Sequence, residues 1–224
     1  MKNPIFEIKN FSVSKSNINI LSIKKFDIHR SACYLINGNM ASGKTLILDL
    51  LAKKNISYKG NILYEGKELK KINYLSQDNE IKYVTQNFKA PYFKTVKGFI
   101  GKIASSNSKF KNDKSVNDII KKMDFKYIAN HKMRDLTPGQ LRWVDLASKI
   151  AAFPKVLFVD ELELHLSMVK IKNLCKILYR KVNYDGITIV ATTQNKEFFD
   201  AISSVCININ HGRITSVRSK YNKK

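Results

Sequence analysis

The chain has 224 residues, with 40 lysines and arginines against 18 acidic residues, which gives a formal net charge of +22. That length suffices for one domain with a complete apolar core, and no apolar run reaches the roughly 18 residues that a membrane-spanning helix needs. The first residues are polar and charged, and no apolar segment with a cleavage site follows them, so we expect no secretory signal. The lysine excess would suit nucleic acid or anionic lipid, but it is spread along the chain, as an A/T-rich coding sequence would also produce. Nucleic acid is therefore not the expected partner.

Strand patterns dominate the N-terminal part. Residues 6–9 and 17–21 alternate apolar and polar side chains, as half-buried strands do, and residues 32–36 form the short apolar run of a buried strand. Residues 60–67 predict a strand that ends in a turn, and residues 72–77 predict another.

A glycine-rich loop follows the buried strand. It reads Gly-Asn-Met-Ala-Ser-Gly-Lys-Thr and fits G-x-x-x-x-G-K-[ST], the phosphate-binding loop of P-loop NTPases. In such a loop the backbone N–H groups point at phosphate oxygens, Lys44 reaches the β- and γ-phosphates, and the Thr45 hydroxyl binds Mg²⁺. A helix from Leu46 would aim its N-terminus at the phosphates. The motif predicts binding of ATP with Mg²⁺ through eight residues: Gly38, Asn39, Met40, Ala41, Ser42, Gly43, Lys44 and Thr45.

The second half alternates helices with apolar strands. Residues 95–135 carry helical patterns without clear strands, so we expect an inserted helical subdomain at about 78–140. Further helices are predicted at 141–152 and 168–182, and further strands at 156–159, 186–191 and 204–209. This alternation implies an α/β fold with a mostly parallel sheet and an N-terminal antiparallel β part. We expect a single domain over 1–217, followed by a basic, disordered tail at 218–224.

The strand at 156–159 ends in Asp160 and Glu161. A parallel strand carries such a pair to the carboxyl edge of the sheet, beside the phosphate loop. There Asp160 would hold Mg²⁺, and Glu161 would polarise a water for attack on the γ-phosphate. The three cysteines, Cys33, Cys175 and Cys206, lie scattered in apolar surroundings without metal-ligand spacing, which predicts buried free thiols in a reducing compartment.

Four further segments stand in order along the chain. Gln77 ends a predicted strand, Leu-Thr-Pro-Gly-Gln at 136–140 opens the helix before the carboxylate strand, Val-Ala-Thr-Thr-Gln at 190–194 ends the next strand, and His-Gly-Arg-Ile at 211–214 is a late turn. Together with the two motifs, this series resembles the ATPase subunits of ABC transporters over nearly the whole chain.

The resemblance implies the P-loop ABC ATPase fold and a shared nucleotide site. Residues 136–140 are similar to the family's LSGGQ, so Thr137, Gly139 and Gln140 would meet the ATP held by a second ATPase subunit. Gln77 matches the glutamine that senses Mg²⁺ and the membrane partner, and Gln194 takes the position of the switch histidine. The implied partners are transmembrane transporter subunits and a second ATPase subunit. The implied location is the cytoplasmic face of a membrane, or the matrix face in an organelle.

Several positions depart from the family's pattern. Pro138 replaces the first glycine of LSGGQ and removes a backbone donor, and Gln194 cannot carry charge as a histidine can. Ser167 stands at the D-loop aspartate and Leu162 at the proline after the catalytic glutamate, while the aromatic residue that stacks on adenine aligns near Lys15. These departures predict intact nucleotide binding with slow turnover. His165 could replace the switch histidine, although a surface-turn histidine is the simpler interpretation.

The resemblance also suggests a cargo. Tyr74–Gln77 running into Glu80–Lys82 is similar to the GHxxGIK segment of the haem-exporter ATPase of cytochrome c maturation, and residues 191–194 are near its Leu-Thr-Thr-His. Lipoprotein exporters and the cell-division ABC ATPase have a similar size. A soluble ABC ATPase that acts on nucleic acid or in iron–sulfur assembly is the alternative from a different class, although no coiled-coil insertion of the DNA-repair type is present.

Overall fold

Strands and helices alternate around one mixed sheet in the computed structural model, which describes residues 3–16, 18–54, 56–72, 80–106 and 113–220. The ten described strands are β1 (Phe6–Lys15), β2 (Ile18–Ile28), β3 (Cys33–Asn37), β4 (Lys59–Tyr64), β5 (Lys67–Glu68), β6 (Ile81–Val84), β7 (Val156–Val159), β8 (Thr188–Thr193), β9 (Val205–Asn210) and β10 (Arg213–Ser219). Their order across the sheet is β5-β4-β1-β2-β10-β9-β3-β8-β7-β6.

The sheet has a parallel part and an antiparallel part. From β9 to β6 every neighbouring pair is parallel, whereas β5, β4, β1 and β2 pair antiparallel. β10 pairs antiparallel with β9 and meets β2 through one parallel pair, Arg213 with Ser22. The predicted α/β class with an N-terminal antiparallel part is confirmed.

Five helices and several 3₁₀ turns complete the described chain. The helices are α1 (Lys44–Leu51), α2 (Val96–Ala104), α3 (Asp113–Lys122), α4 (Pro138–Ala151) and α5 (Met168–Asn183), and the 3₁₀ turns are Leu69–Lys71, Lys126–Ile128, Met133–Asp135 and Lys196–Phe199. Within the described residues, no helix has the length and apolar character needed to cross a bilayer.

Apolar cores lie on both faces of the parallel strands. Leu35, Leu157 and Ile189 face a core shared with α2, α3, α4 and α5. The alternate residues, among them Ile36 and Phe158, face a second core with α1 and the antiparallel strands. Burial on both faces explains why these strands read as continuous apolar runs rather than as alternating ones.

Three expectations about segments need correction or restriction. Within the span of about 78–140 expected to be helical, Ile81–Val84 form β6 in the central sheet, and the helix α2 begins at Val96. Of the strand predicted at 72–77, Ile72 lies outside any strand and residues 73–77 are outside the described residues. Of the tail predicted to be disordered, Arg218 and Ser219 continue β10.

The cysteines differ from one another. All three are free thiols, but only Cys33 is fully buried, and burial raises its pKa to about 12. Cys175 and Cys206 are partly exposed, so the expectation of three buried thiols was wrong for these two. Cys175 lies on the outer part of α5, and Cys206 is paired with Leu35 and Arg218 near the start of β9.

Candidate functional site

The glycine-rich loop joins β3 to α1 and is held against the turn between β9 and β10. A Cβ on Gly38 would lie 2.4 Å from the carbonyl oxygen of Ile209, so only glycine allows this close approach. Gly43 has a φ of 99°, in the left-handed region, directly before the first turn of α1. The Gly212 N–H donates to the Ser42 carbonyl at 3.1 Å. The loop is therefore a preformed cradle at a helix N-terminus.

Lys44 is folded back into this cradle. Its Nζ donates to the carbonyl oxygens of Gly38 at 2.6 Å and Asn39 at 2.7 Å. Burial lowers the pKa of Lys44, and the carboxylates of Glu161, Asp160 and Glu163 oppose that shift. Beside it, the Ser42 hydroxyl oxygen is buried and has no hydrogen-bond partner among the described residues. The cradle therefore holds a cation and an unpaired hydroxyl, both suited to an anion.

Thr45 and Asp160 come together although 115 positions separate them in the chain. The Thr45 hydroxyl lies 3.2 Å from Asp160 Oδ1, which also accepts a 2.6 Å hydrogen bond from the Thr192 hydroxyl. Parallel pairing explains the contact, because β3, β8 and β7 all end at the same edge of the sheet. This set of hydroxyl and carboxylate oxygens matches the hard ligands that Mg²⁺ prefers.

Gln86 is a residue of this site that the sequence reasoning missed. β6 ends at Val84, and Gln86 two residues later places Nε2 3.5 Å from the Thr45 hydroxyl. Gln77, which was predicted for this role, is outside the described residues. The available signal was the apolar run Ile81–Val84 followed by a glutamine, the same pattern that the prediction assigned to residues 72–77.

Glu161 and Gln194 are in direct contact. The Gln194 Nε2 donates to Glu161 Oε1 at 2.9 Å, across the ends of β7 and β8. Glu161 has a φ of 50°, and its N–H donates to the Thr192 hydroxyl at 2.7 Å. The carboxylate thus turns away from the strand direction and stands at the sheet edge that also carries Asp160 and Thr45. His165, also at a positive φ, is exposed, as the simpler interpretation expected.

Arg142 ties the helix α4 to the carboxylate strand. Its guanidinium donates to the backbone carbonyls of Thr85 at 2.6 Å, Asp160 at 2.5 Å and Glu161 at 2.8 Å, and the residue is only 3% exposed. The segment after β6 and the segment after β7 are therefore both fastened to one side chain of α4.

The N-terminus of α4 is capped by the residues predicted to bind nucleotide. The Thr137 hydroxyl accepts from the Gln140 N–H at 3.3 Å, and the Thr137 N–H donates to Gln140 Oε1 at 2.9 Å. Pro138 occupies the first helical turn, where its missing N–H removes no helical hydrogen bond. In the described chain, no hydrogen bond joins Thr137, Gly139 or Gln140 to the phosphate loop, and Thr137 is exposed to solvent.

Comparison with known proteins points to one family. The family model described as ABC transporter matches residues 21–163, more than half of the chain. An ABC transporter ATP-binding protein of Clostridium tetani (strain Massachusetts / E88) is 27% identical over 201 residues, which cover 88% of this chain and 45% of that protein. The chain therefore spans less than half the length of this relative. The uncharacterised ABC transporter ATP-binding protein YybJ of Bacillus subtilis (strain 168) is 23% identical over 98% of this chain and 99% of its own length.

A solved structure shares the fold. Dimeric MJ0796, described as a bacterial ABC transporter cassette, has a TM-score of 0.82 at 18% identity and covers 96% of this chain and 98% of that chain. The same protein has also been solved as a dimeric post-hydrolysis state bound to ADP and Pi. At this identity the likeness supports the fold and nothing finer.

The Arg142 contacts generate a stability prediction. Replacing Arg142 with methionine removes the donor of one buried and two partly buried carbonyls, and we expect the free energy of unfolding to fall by about 2–4 kcal/mol. Urea denaturation followed by circular dichroism measures this change.

Arg134→Met is the matched control, because Arg134 is exposed and its contacts, Asp135 at 3.5 Å and the Phe93 ring, are exposed as well. The control should change the free energy of unfolding by less than about 0.5 kcal/mol. Equal losses in the two variants would contradict the role assigned to Arg142.

Proposed function

Because the chain belongs to the ABC transporter family as an ATP-binding subunit, we propose that it hydrolyses Mg·ATP and powers transport through separate membrane subunits. The observation that carries this proposal is the meeting of Lys44, Thr45, Asp160 and Glu161 at one edge of the sheet. Nucleotide binding and hydrolysis need these groups in one place.

Nucleotide binding begins with the residues of the cradle. The Lys44 ammonium would exchange the carbonyls of Gly38 and Asn39 for phosphate oxygens, and the Ser42 hydroxyl would gain a partner. Thr45, Asp160 and Gln86 would hold Mg²⁺, which when bound neutralises charge on the phosphates. The carboxylates of Glu161, Asp160 and Glu163 oppose the lowering of the Lys44 pKa that burial causes.

Hydrolysis requires a group that accepts a proton from the attacking water. Glu161 is a carboxylate at the end of β7 whose Oε1 is held by the Gln194 amide, while its Oε2 has no hydrogen bond within the part of the chain that the structure describes. We assign it as general base. Gln194 cannot take a charge, so its contribution is to orient Glu161 through a single N–H donor.

The proposal includes a second ATPase subunit. Domains of this family dimerise, and MJ0796 is dimeric at 96% coverage of this chain. In this chain Thr137 and Gly139 lie at the N-terminus of α4 and make no hydrogen bond to their own phosphate loop within the described ranges, which fits a role toward the nucleotide of a neighbouring subunit. Pro138 costs no hydrogen bond within that helix, but its missing N–H leaves one donor fewer toward a nucleotide.

Haem export remains a sequence prediction. Of the residues that suggested it, Thr192 and Gln194, at and just after the end of β8, bond Asp160 and Glu161, whereas Ile81 and Lys82 begin β6 in the central sheet and residues 74–77 lie outside the described residues. The likeness at residues 191–194 therefore bears on the nucleotide site rather than on cargo.

Two variants should distinguish nucleotide binding from ATP turnover. Lys44→Ala removes the cation of the cradle and should abolish retention of a fluorescent ATP analogue. Glu161→Gln keeps the cradle and should retain the nucleotide, while phosphate release falls about 10²–10⁴-fold. Equilibrium fluorescence titration and a phosphate assay measure the two properties, and light scattering should show the Glu161→Gln protein as a dimer with ATP.

The matched control is Lys54→Ala. Lys54 stands just after α1 and pairs with Asp49 at 2.7 Å, so its loss should leave nucleotide binding unchanged. Equal binding by wild type and the Lys44 variant would refute the proposed function, and normal turnover by Glu161→Gln would refute the assignment of the base.

Gln86 and Gln77 are alternative candidates for the glutamine that contacts the Mg²⁺ site. Since Gln86 lies next to Thr45 and Asp160, Gln86→Ala should reduce Mg²⁺-dependent turnover by about 10- to 100-fold. Gln77→Ala should change it by less than about twofold. A magnesium titration of ATP turnover compares the two variants, and a larger loss in the Gln77 variant would restore the original assignment.

The contact with membrane subunits is proposed for the stretch that ends at Phe93. Tyr92 and Phe93 are 68% and 79% exposed, and Arg134 lies over the Phe93 ring at 5.9 Å. Neither ring is buried inside the helical part of the chain. Exposed aromatics are common at the centre of protein interfaces, and the location proposed for the chain is the cytoplasmic face of the membrane.

Membrane association should depend on these two aromatics. With its neighbouring membrane proteins co-expressed, the wild type should stay on membranes after a high-salt wash, because salt screens mainly the attraction of lysines to lipid. Tyr92→Ala with Phe93→Ala should release the protein while ATP binding survives, as measured by sedimentation and blotting.

Tyr179→Ala with Tyr184→Ala is the control pair, since both tyrosines are exposed on or after α5. This pair should remain bound. If the wild type is recovered entirely in the soluble fraction at low salt, the transporter role fails and a soluble ABC ATPase is favoured.

A further inference from the structure

Glu163 is a third carboxylate at the end of β7, two residues after the candidate base. Its Oε1 accepts hydrogen bonds from the Thr193 hydroxyl at 3.0 Å and from the Gln194 N–H at 2.8 Å. The Thr193 hydroxyl in turn accepts from the Asn195 N–H at 3.0 Å. One carboxylate oxygen therefore holds the whole β8 turn, which we define as residues 193–195.

The β8 turn carries the amide that orients the base. Gln194 uses its backbone N–H toward Glu163 and its side-chain Nε2 toward Glu161, at 2.8 and 2.9 Å. A glutamine side chain with one contact could rotate away from Glu161. Fixing its backbone reduces that freedom, because the side chain then starts from a defined position.

The ends of β7 and β8 contact each other residue by residue. Thr192 bonds Asp160, the Thr193 hydroxyl bonds Glu163, and the Gln194 side chain bonds Glu161. The remaining oxygen of Glu163, Oε2, is buried and has no hydrogen-bond partner among the described residues. A carboxylate oxygen that is buried without a hydrogen-bond partner lowers the stability of the fold. The two hydrogen bonds that Oε1 accepts indicate what Glu163 contributes at this position.

We propose that Glu163 is a positioning residue that fixes the β8 turn and, through the Gln194 amide, sets the orientation of Glu161 for ATP hydrolysis. This inference rests on the proposed function. Glu163 does not need to touch nucleotide or water. Glu163 acts in this role as a hydrogen-bond acceptor, and a neutral amide oxygen could accept the same bonds. The role therefore differs from that of a negative charge near Lys44, which an amide could not replace.

The test uses four variants: Glu163→Ala, Glu163→Gln, Gln194→Ala and the double variant Glu163→Ala with Gln194→Ala. Glu163→Ala should lower kcat about tenfold with KM unchanged, because the base is misoriented while the cradle is intact. Glu163→Gln should stay within about threefold of wild type, because its amide oxygen can accept the same two hydrogen bonds. The double variant should be no slower than Gln194→Ala alone, because both changes break one chain of contacts.

A second measurement does not depend on turnover. Hydrogen exchange, read by mass spectrometry on the nucleotide-free protein, reports protection of the Gln194 N–H. Exchange in the peptide spanning the β8 turn should accelerate in Glu163→Ala and stay near wild type in Glu163→Gln.

Three results would overturn the inference: multiplying rate losses in the double variant, equal losses in the Ala and Gln variants, or unchanged exchange in Glu163→Ala. A wild-type protein that binds but never hydrolyses ATP would instead count against the proposed function. The exchange measurement would then still decide whether Glu163 holds the turn.

Discussion

The parallel pairing of β7 with its two neighbours is the constraint on which the site depends. Val159 pairs with Val84 on one side and with Ala191 on the other. The residues that follow these partners are Asp160, Thr85 and Thr192, so the register alone aligns the carboxylate strand with both segments that must meet it. β3 pairs with β8 in the same direction and ends beside them, where the phosphate loop begins. A shift of one residue in this register would turn Asp160 to the opposite face of the sheet.

The alignment of these strand ends places charged side chains in buried positions. Asp160, Arg142 and Lys44 are each less than 10% exposed. Arg142 and Lys44 both have pKa values lowered by burial, and the neighbouring carboxylates oppose the shift in each case. The carbonyls of Thr85, Asp160 and Glu161 satisfy most of the Arg142 donors. The charges are retained because each has partners of opposite sign or polarity, and removing one partner would leave the other unsatisfied.

Local sequence patterns predicted some parts of this arrangement well. The glycine-rich loop and the apolar strand ending in Asp160 and Glu161 are short and contiguous, and each carries its chemistry within a few residues. Gln86 was missed because two short strand-like segments, 72–77 and 81–86, each end in a glutamine, and periodicity cannot tell which glutamine lies next to Thr45. Glu163 was missed because its partners lie some thirty positions away on β8. The sequence shows that Pro138 removes a backbone donor, and its place in the first turn of α4 adds that no helical hydrogen bond depends on the missing N–H.

The departures from the family pattern become interpretable once the end of β8 is considered with Glu163. A histidine at position 194 would have two ring nitrogens and a charge that follows pH, so it could stabilise developing negative charge directly. Glutamine offers only neutral donors and an acceptor on a flexible chain. In this protein the glutamine is held at both ends, by Glu163 through its backbone and by Glu161 through its side chain. Under the proposed function, Gln194 would orient the base Glu161 but would supply no additional positive charge in the transition state. We therefore expect slow turnover in the isolated subunit, with nucleotide binding intact.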